Sequence, residues 1–182
     1  MKKFVIFLVV VSVAMAGFSQ EKKELLELVS GPEGISIDSL DGQETILKSK
    51  EIYSFINSKF QEWGLDQPSP PTGKTIVDVY KLKGDATFAE VFASISGAKG
   101  ERTLSQAQIN NFSKNHQELS SRLEDQLFFF FQANGEYWVA SLCVRSTGRP
   151  TISPLKLSYD RSWHPSVEPE INFYFVIPRC LK

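Results

Sequence analysis

The feature that most constrains the fold is a predicted β-hairpin in the second half of the chain. Residues 126–132 and 137–145 are rich in aromatic and aliphatic side chains, and Asn134-Gly135 lies between them. An Asn-Gly pair between two apolar segments favours a two-residue turn, because both residues tolerate positive φ. This hairpin is therefore expected to form the centre of an antiparallel sheet.

The two-residue turn also sets the register of the hairpin and the face on which each side chain lies. Phe129 and Phe131 are expected on one face, whereas Phe128, Phe130 and Tyr137 are expected on the other. A sheet with one face in water shows polar residues there, so two apolar faces both require cover. The sequence leaves open whether the second face is covered by the N-terminal half of the chain, by a ligand or by another subunit.

The remaining elements are predicted from apolar periodicity. Two more strands are expected at Leu155–Tyr159 and Ile171–Ile177, and one upstream at Thr75–Leu82. Helices are expected within residues 21–29, 49–64, 85–97 and 103–112, and a small N-terminal hairpin within residues 35–47. Helices followed by consecutive strands are typical of α+β domains. The predicted fold is thus α+β, with helices packed on a C-terminal antiparallel β-meander of about four strands.

The N-terminus has the layout of a secretory signal peptide, predicted for residues 1–19. Lys2 and Lys3 precede an apolar run at residues 4–13, and small residues follow it. Cleavage before Gly17 and cleavage before Gln20 both satisfy the small-residue rule. Residues 20–182 are then expected to form a single exported domain, periplasmic or secreted, with a Pro-rich connector at residues 66–74 and no stable membrane anchor.

The predicted export raises the question of whether the cysteines form a disulfide. Cys143 and Cys180 are the two cysteines of the chain. In an oxidising compartment they are candidates for a disulfide. Two strand spacings would separate them in a meander, which exceeds the Cα distance that a disulfide spans unless the C-terminal tail folds back. The disulfide and two unpaired thiols therefore both remain open.

The segment before the last strand carries the densest set of functional side chains. It contains Asp160, Arg161, Trp163 and His164, and loops between strands commonly hold binding groups. Asp160 and His164 are the catalytic candidates of the alternative hypothesis, as base and partner of a small exported hydrolase. The candidate binding residues are Phe128, Phe130, Tyr137, Arg161 and Trp163. No motif for a cofactor or a metal site is present in the sequence.

Charge and motif content favour binding over catalysis. The net charge of −1 gives no electrostatic reason to expect a nucleic-acid partner. No nucleophile motif accompanies either histidine. The sequence therefore predicts a non-catalytic binding or interaction module of the cell envelope or secreted fraction. Its partner would be a protein or an envelope component of unknown identity, and its oligomeric state stays open.

Overall fold

The computed structural model describes residues 24–120, 125–144, 148–167 and 170–179. Within them, eight strands, numbered β1 to β8, are Leu26–Leu28, Ile35–Ile37, Phe55–Ile56, Thr75–Leu82, Gln126–Ala133, Glu136–Val144, Pro150–Lys156 and Phe173–Pro178. Three α-helices, α1 to α3, are Lys59–Glu62, Phe88–Ser94 and Gln106–Asn115. The strands form one mixed sheet in the order β1-β4-β8-β5-β6-β7-β3, and β2 also pairs with β4.

The predicted fold class is wrong, because the sheet is larger than a C-terminal meander and is mixed. The last strand, β8, does not follow β7 in the sheet. It lies between β4 and β5, antiparallel to β4 and parallel to β5. The side chains of β8 explain this position, since Phe175 on one face and Val176 on the other are both fully buried. A strand that is apolar on both faces is stabilised best in the interior of a sheet.

The predicted N-terminal hairpin is also wrong. Strand β2 pairs with β4, and the expected return strand is a 3-10 turn at Ile46–Lys48. Asp66 holds this turn, accepting hydrogen bonds from the Thr45 hydroxyl and the Leu47 N–H, both at 2.8 Å. Because Asp66 is distant in sequence from Thr45 and Leu47, the periodicity of the local sequence does not predict these hydrogen bonds.

The described part of the first predicted helix is a strand. Strand β1 pairs with one end of β4, and β2 pairs with the other end of the same edge. The segment between them leaves the sheet at Ser30, whose hydroxyl accepts the Val79 N–H at 3.1 Å. The two short strands are thus halves of one interrupted edge strand.

The helix predicted within residues 49–64 is largely wrong, and the two that follow are confirmed with shifted starts. Only α1 is helical there, and β3 pairs in parallel with β7. Helices α2 and α3 begin with capping boxes at Thr87 and Ser105. The sequence predicts these starts at Asp85 and Thr103, because each segment contains more than one residue able to cap a helix.

The central hairpin is confirmed residue for residue. Phe131 pairs with Trp138 and Phe129 with Ala140 in the antiparallel β5–β6 ladder. The turn residue Asn134 has φ of 54°, as a turn with two positive φ values requires. Each face of this hairpin lies in a separate apolar cluster, one containing Phe129 and the other Phe128. The sheet is therefore a central layer with packed side chains on both sides.

Candidate functional site

The second face of the hairpin is covered by the chain itself. Phe128 and Phe130 are completely buried. Two aromatic residues of α2 lie against them, Phe88 with its ring centroid 4.9 Å from that of Phe128 and Phe92 at 4.8 Å from that of Phe130. A partner could reach these two candidate binding residues only by displacing α2.

Trp163 completes this cover. Its side chain is 6% exposed and packs against Phe88 and Phe128, with ring centroids 5.3 and 4.9 Å away. Its backbone forms an isolated β-bridge with Ala86, immediately before α2. The cover thus consists of a helix from the N-terminal half and a loop from the C-terminal half, joined by this bridge and by the packing of Trp163 on Phe88.

His164 has a different carboxylate partner from the one predicted. Its Nδ1 lies 3.1 Å from Oδ2 of Asp85, and the hydroxyl of Ser166 donates to Oδ1 of the same carboxylate at 2.8 Å. Both members of the His164–Asp85 pair are half-exposed. Asp160 instead lines a cleft on the α1 side of the sheet. The structure therefore does not bring Asp160 and His164 together as a catalytic pair.

That cleft, here the α1 cleft, lies between α1 and the C-terminal end of β7. It has a volume of about 600 Å³. Its lining includes two aromatic side chains, three cations and one carboxylate: Trp63, Tyr159, Lys59, Lys156, Arg161 and Asp160. Arg161, a candidate binding residue from the sequence, is thus part of an open cleft that contains both charged and apolar side chains.

A second cleft adjoins the first on the α2 side of the sheet. This α2 cleft measures about 440 Å³ and contains Tyr137, another predicted binding residue, together with Glu136 and Leu157. The two clefts share Lys156 and Ser158. We call the two together the β7 groove, because they meet at the end of that strand and reach from α1 on one face of the sheet to α2 on the other.

Two of the three cations in the α1 cleft lie over aromatic rings. The ammonium of Lys59 lies 5.0 Å from the ring centroid of Trp63, and the guanidinium carbon of Arg161 lies 5.1 Å from that of Trp163. Such cation–π contacts contribute about 0.5–1 kcal/mol at exposed sites. Within the described ranges, neither these two residues nor Lys156 forms an ion pair with a carboxylate. Their positive charge is therefore available to a ligand.

Trp63 is the groove residue that the sequence prediction misses most clearly, since the sequence places it only within the helix expected at residues 49–64. Its ring does pack on Trp138, with centroids 5.5 Å apart, yet the residue is only half-buried. The spacing of Lys59 and Trp63, four residues apart, was the available signal. At that separation on a helix a cation reaches an aromatic neighbour.

Other sequence predictions fall on residues outside the described ranges. The predicted signal peptide lies there, and so does Cys180, the second half of the predicted disulfide. Cys143 is half-buried on β6, with Sγ directed at the Val144 carbonyl oxygen 3.7 Å away. Among the described helices none combines the length and apolar character needed to cross a membrane.

Comparison with known proteins identifies no relative. No family model matches the chain, and no curated protein and no solved structure is significantly similar to it.

Proposed function

We propose that this protein is an exported, non-catalytic binding module whose binding surface is the β7 groove. The observation that carries the proposal is the collection of exposed cations and exposed or half-buried aromatic side chains in one groove, with no carboxylate paired to the cations among the described residues. Trp, Tyr and Arg are the residues most enriched at the energetic centres of protein interfaces. A surface of this composition favours recognition of a partner.

The His164 segment fits a structural role in this proposal. The carboxylate of Asp85 contacts the imidazole of His164 and accepts a hydrogen bond from the hydroxyl of Ser166. All three residues lie beside the bridge between Ala86 and Trp163. These contacts fasten the loop over the second face of the sheet. The competing hydrolase hypothesis would require a substrate beside the half-exposed imidazole of His164, with Asp85 rather than Asp160 orienting it.

Export is tested with a reporter enzyme that becomes active only after translocation. Residues 1–24 fused to leaderless alkaline phosphatase should produce activity in the exported fraction. The same fusion carrying Leu8→Arg should lose it, because a charge interrupts the apolar run that enters the translocon. Equal activity from both fusions, or none from the first, would contradict export.

Binding is tested by affinity capture from the exported fraction of the source cells. The purified chain should retain a partner, and the double variant Lys156→Glu/Arg161→Glu should lose it. Lys114→Glu supplies the control for one charge reversal outside the groove, because Lys114 is an exposed residue of α3 that lines neither cleft. Capture that survives the double variant would show that the groove is not the binding surface.

Catalysis is tested separately in a broad hydrolase screen. The proposal expects His164→Ala and Asp85→Asn to leave any measured activity unchanged. A loss of activity in both variants, with circular dichroism and melting temperature unaltered, would favour the hydrolase over the binding module.

A further inference from the structure

We infer that the partner of the β7 groove is an acidic protein segment, bound with its carboxylates in the α1 cleft and its uncharged side chains in the α2 cleft. This inference rests on the proposed function and adds the chemistry and the orientation of the partner. It follows from the charge, the rigidity and the backbone of the groove.

The charge of the groove is unevenly distributed. The α1 cleft contains three cations and the single carboxylate of Asp160, although the whole chain carries a net charge of −1. The α2 cleft shares Lys156 but adds Glu136 and no further cation. Complementary charge steers partners and sets their orientation. Carboxylates are therefore attracted to the α1 cleft and repelled by Glu136 at the other end.

The two ends of the groove also differ in apolar surface. The α2 cleft contains Tyr137, whose ring is held 5.4 Å from that of Phe92, and Leu157. Tyr137 is half-buried, so one side is packed and the rest lines the cleft. An aromatic or aliphatic side chain of the partner would gain about 25 cal/mol for each Å² of apolar area buried there.

The cations are held in place before a ligand binds. Lys59 and Arg161 lie over the rings of Trp63 and Trp163, and Trp163 is itself a core residue. Ordering a long, flexible side chain at an interface costs about 0.5–1.5 kcal/mol. Prior contact with an aromatic ring reduces that cost for two of the three cations.

The backbone at this end of β7 favours recognition through side chains over addition of a strand. Pro154 has no N–H to donate, and the carbonyl of Lys156 already accepts the Tyr159 N–H at 3.1 Å. An added strand requires a row of main-chain donors and acceptors. Ion pairs and ring contacts therefore provide the specificity in this groove.

The test measures binding of fluorescent polymers by anisotropy. A random Glu–Tyr copolymer should bind more tightly than polyglutamate, because only the copolymer supplies rings for the α2 cleft. Its affinity should fall about tenfold or more in Lys156→Glu/Arg161→Glu and stay unchanged in Lys114→Glu. Added salt should weaken it, since exposed charges are screened.

Matched variants test the orientation. Tyr137→Ala should remove the advantage of the copolymer over polyglutamate, whereas Glu136→Gln should strengthen binding of polyglutamate. Because Tyr137 also packs on Phe92, unfolding of the Tyr137→Ala variant must be monitored. Glu136→Gln tests the same orientation of the partner by changing an exposed side chain.

The outcomes separate this inference from the proposed function. Equal or tighter binding of polygalacturonate, an acidic glycan without peptide or aromatic groups, would overturn the protein segment in favour of an acidic polysaccharide. No groove-dependent binding of the Glu–Tyr copolymer, together with groove-dependent capture from the exported fraction, would refute the acidic partner and leave the binding role intact. If neither copolymer binding nor affinity capture depended on the groove residues, the acidic partner and the binding role of the groove would both be refuted.

Discussion

The backbones of Ala86 and Trp163 are hydrogen-bonded in both directions, with Trp163 N to Ala86 O at 2.9 Å and Ala86 N to Trp163 O at 3.3 Å. This bridge joins the segment before α2 to the loop before β8. It lies beside the contact between His164 Nδ1 and Asp85 Oδ2. One loop therefore covers the second face of the sheet and also presents Arg161 to the β7 groove.

Replacement of Trp163 tests how much this cover contributes to stability. Trp163→Ala should lower the free energy of unfolding by about 3–5 kcal/mol, as large-to-small changes in a core do. Trp163→Phe should cost less, because the ring contacts persist and the indole N–H, which is buried and has no described partner, is removed. Urea denaturation of both variants measures the difference. Equal losses would contradict the expectation that ring packing is the main contribution of Trp163 to stability.

Phe130→Ala tests whether the second face belongs to the core of the monomer. Phe130 is fully buried between Phe92 and Phe175, with ring centroids 4.8 and 5.8 Å away. The free energy of unfolding should fall by about 3–5 kcal/mol. Capture of the partner by the folded fraction should be unchanged. Near-normal stability combined with lost binding would instead indicate that this face contacts another molecule.

The buried hydroxyl of Tyr53 predicts a loss of stability at alkaline pH. Burial raises the pKa of Tyr53 above its ordinary value, and its hydroxyl donates to Asn110 Oδ1 at 2.8 Å. In the unfolded chain the phenol ionises near pH 10, whereas in the native protein it stays protonated. The native state then binds more protons, so the free energy of unfolding decreases as pH rises above about 10.

The measurement is urea unfolding between pH 8 and pH 11 for the native protein, Tyr53→Phe and Tyr159→Phe. Tyr53→Phe should show a shallower decline with pH. Tyr159→Phe, at an exposed position, should follow the native curve. Identical slopes for all three proteins would contradict the assignment of this titration to Tyr53.

Two glycines with nearly equal φ values test the importance of close packing around a turn. Gly42 has φ of +76° and Gly31 has φ of +75°. A Cβ at Gly42 would lie 2.2 Å from the carbonyl oxygen of Ser69, whereas one at Gly31 would meet open space. Gly31→Ala should therefore cost only the left-handed strain, about 1–2 kcal/mol. Gly42→Ala should lower the free energy of unfolding more than Gly31→Ala does, since the backbone around Gly42 must move. The denaturation midpoints of the two variants measure this difference.

The sequence by itself determined the central hairpin and its register. Asn134-Gly135 specifies the turn locally, and the period of two along a strand then assigns Phe128 and Phe129 to opposite faces. The need for cover on both faces followed from the same residues. The sequence also identified Arg161 and Tyr137 as candidate binding residues, since Arg161 is a cation and Tyr137 an aromatic ring beside the end of a predicted strand.

Only the tertiary structure decided which strands are neighbours and which segment covers each face. Strand β8 carries apolar residues of both parities, a pattern compatible with several interior positions, and its place between β4 and β5 depends on contacts distant in sequence. The first half of the chain shows the same limitation at Thr45 and Leu47, which bind Asp66 rather than a partner strand. The β7 groove likewise joins Lys59 to Arg161 across most of the described chain. Local propensity and periodicity specify how a segment folds, but burial against distant partners selects where it lies.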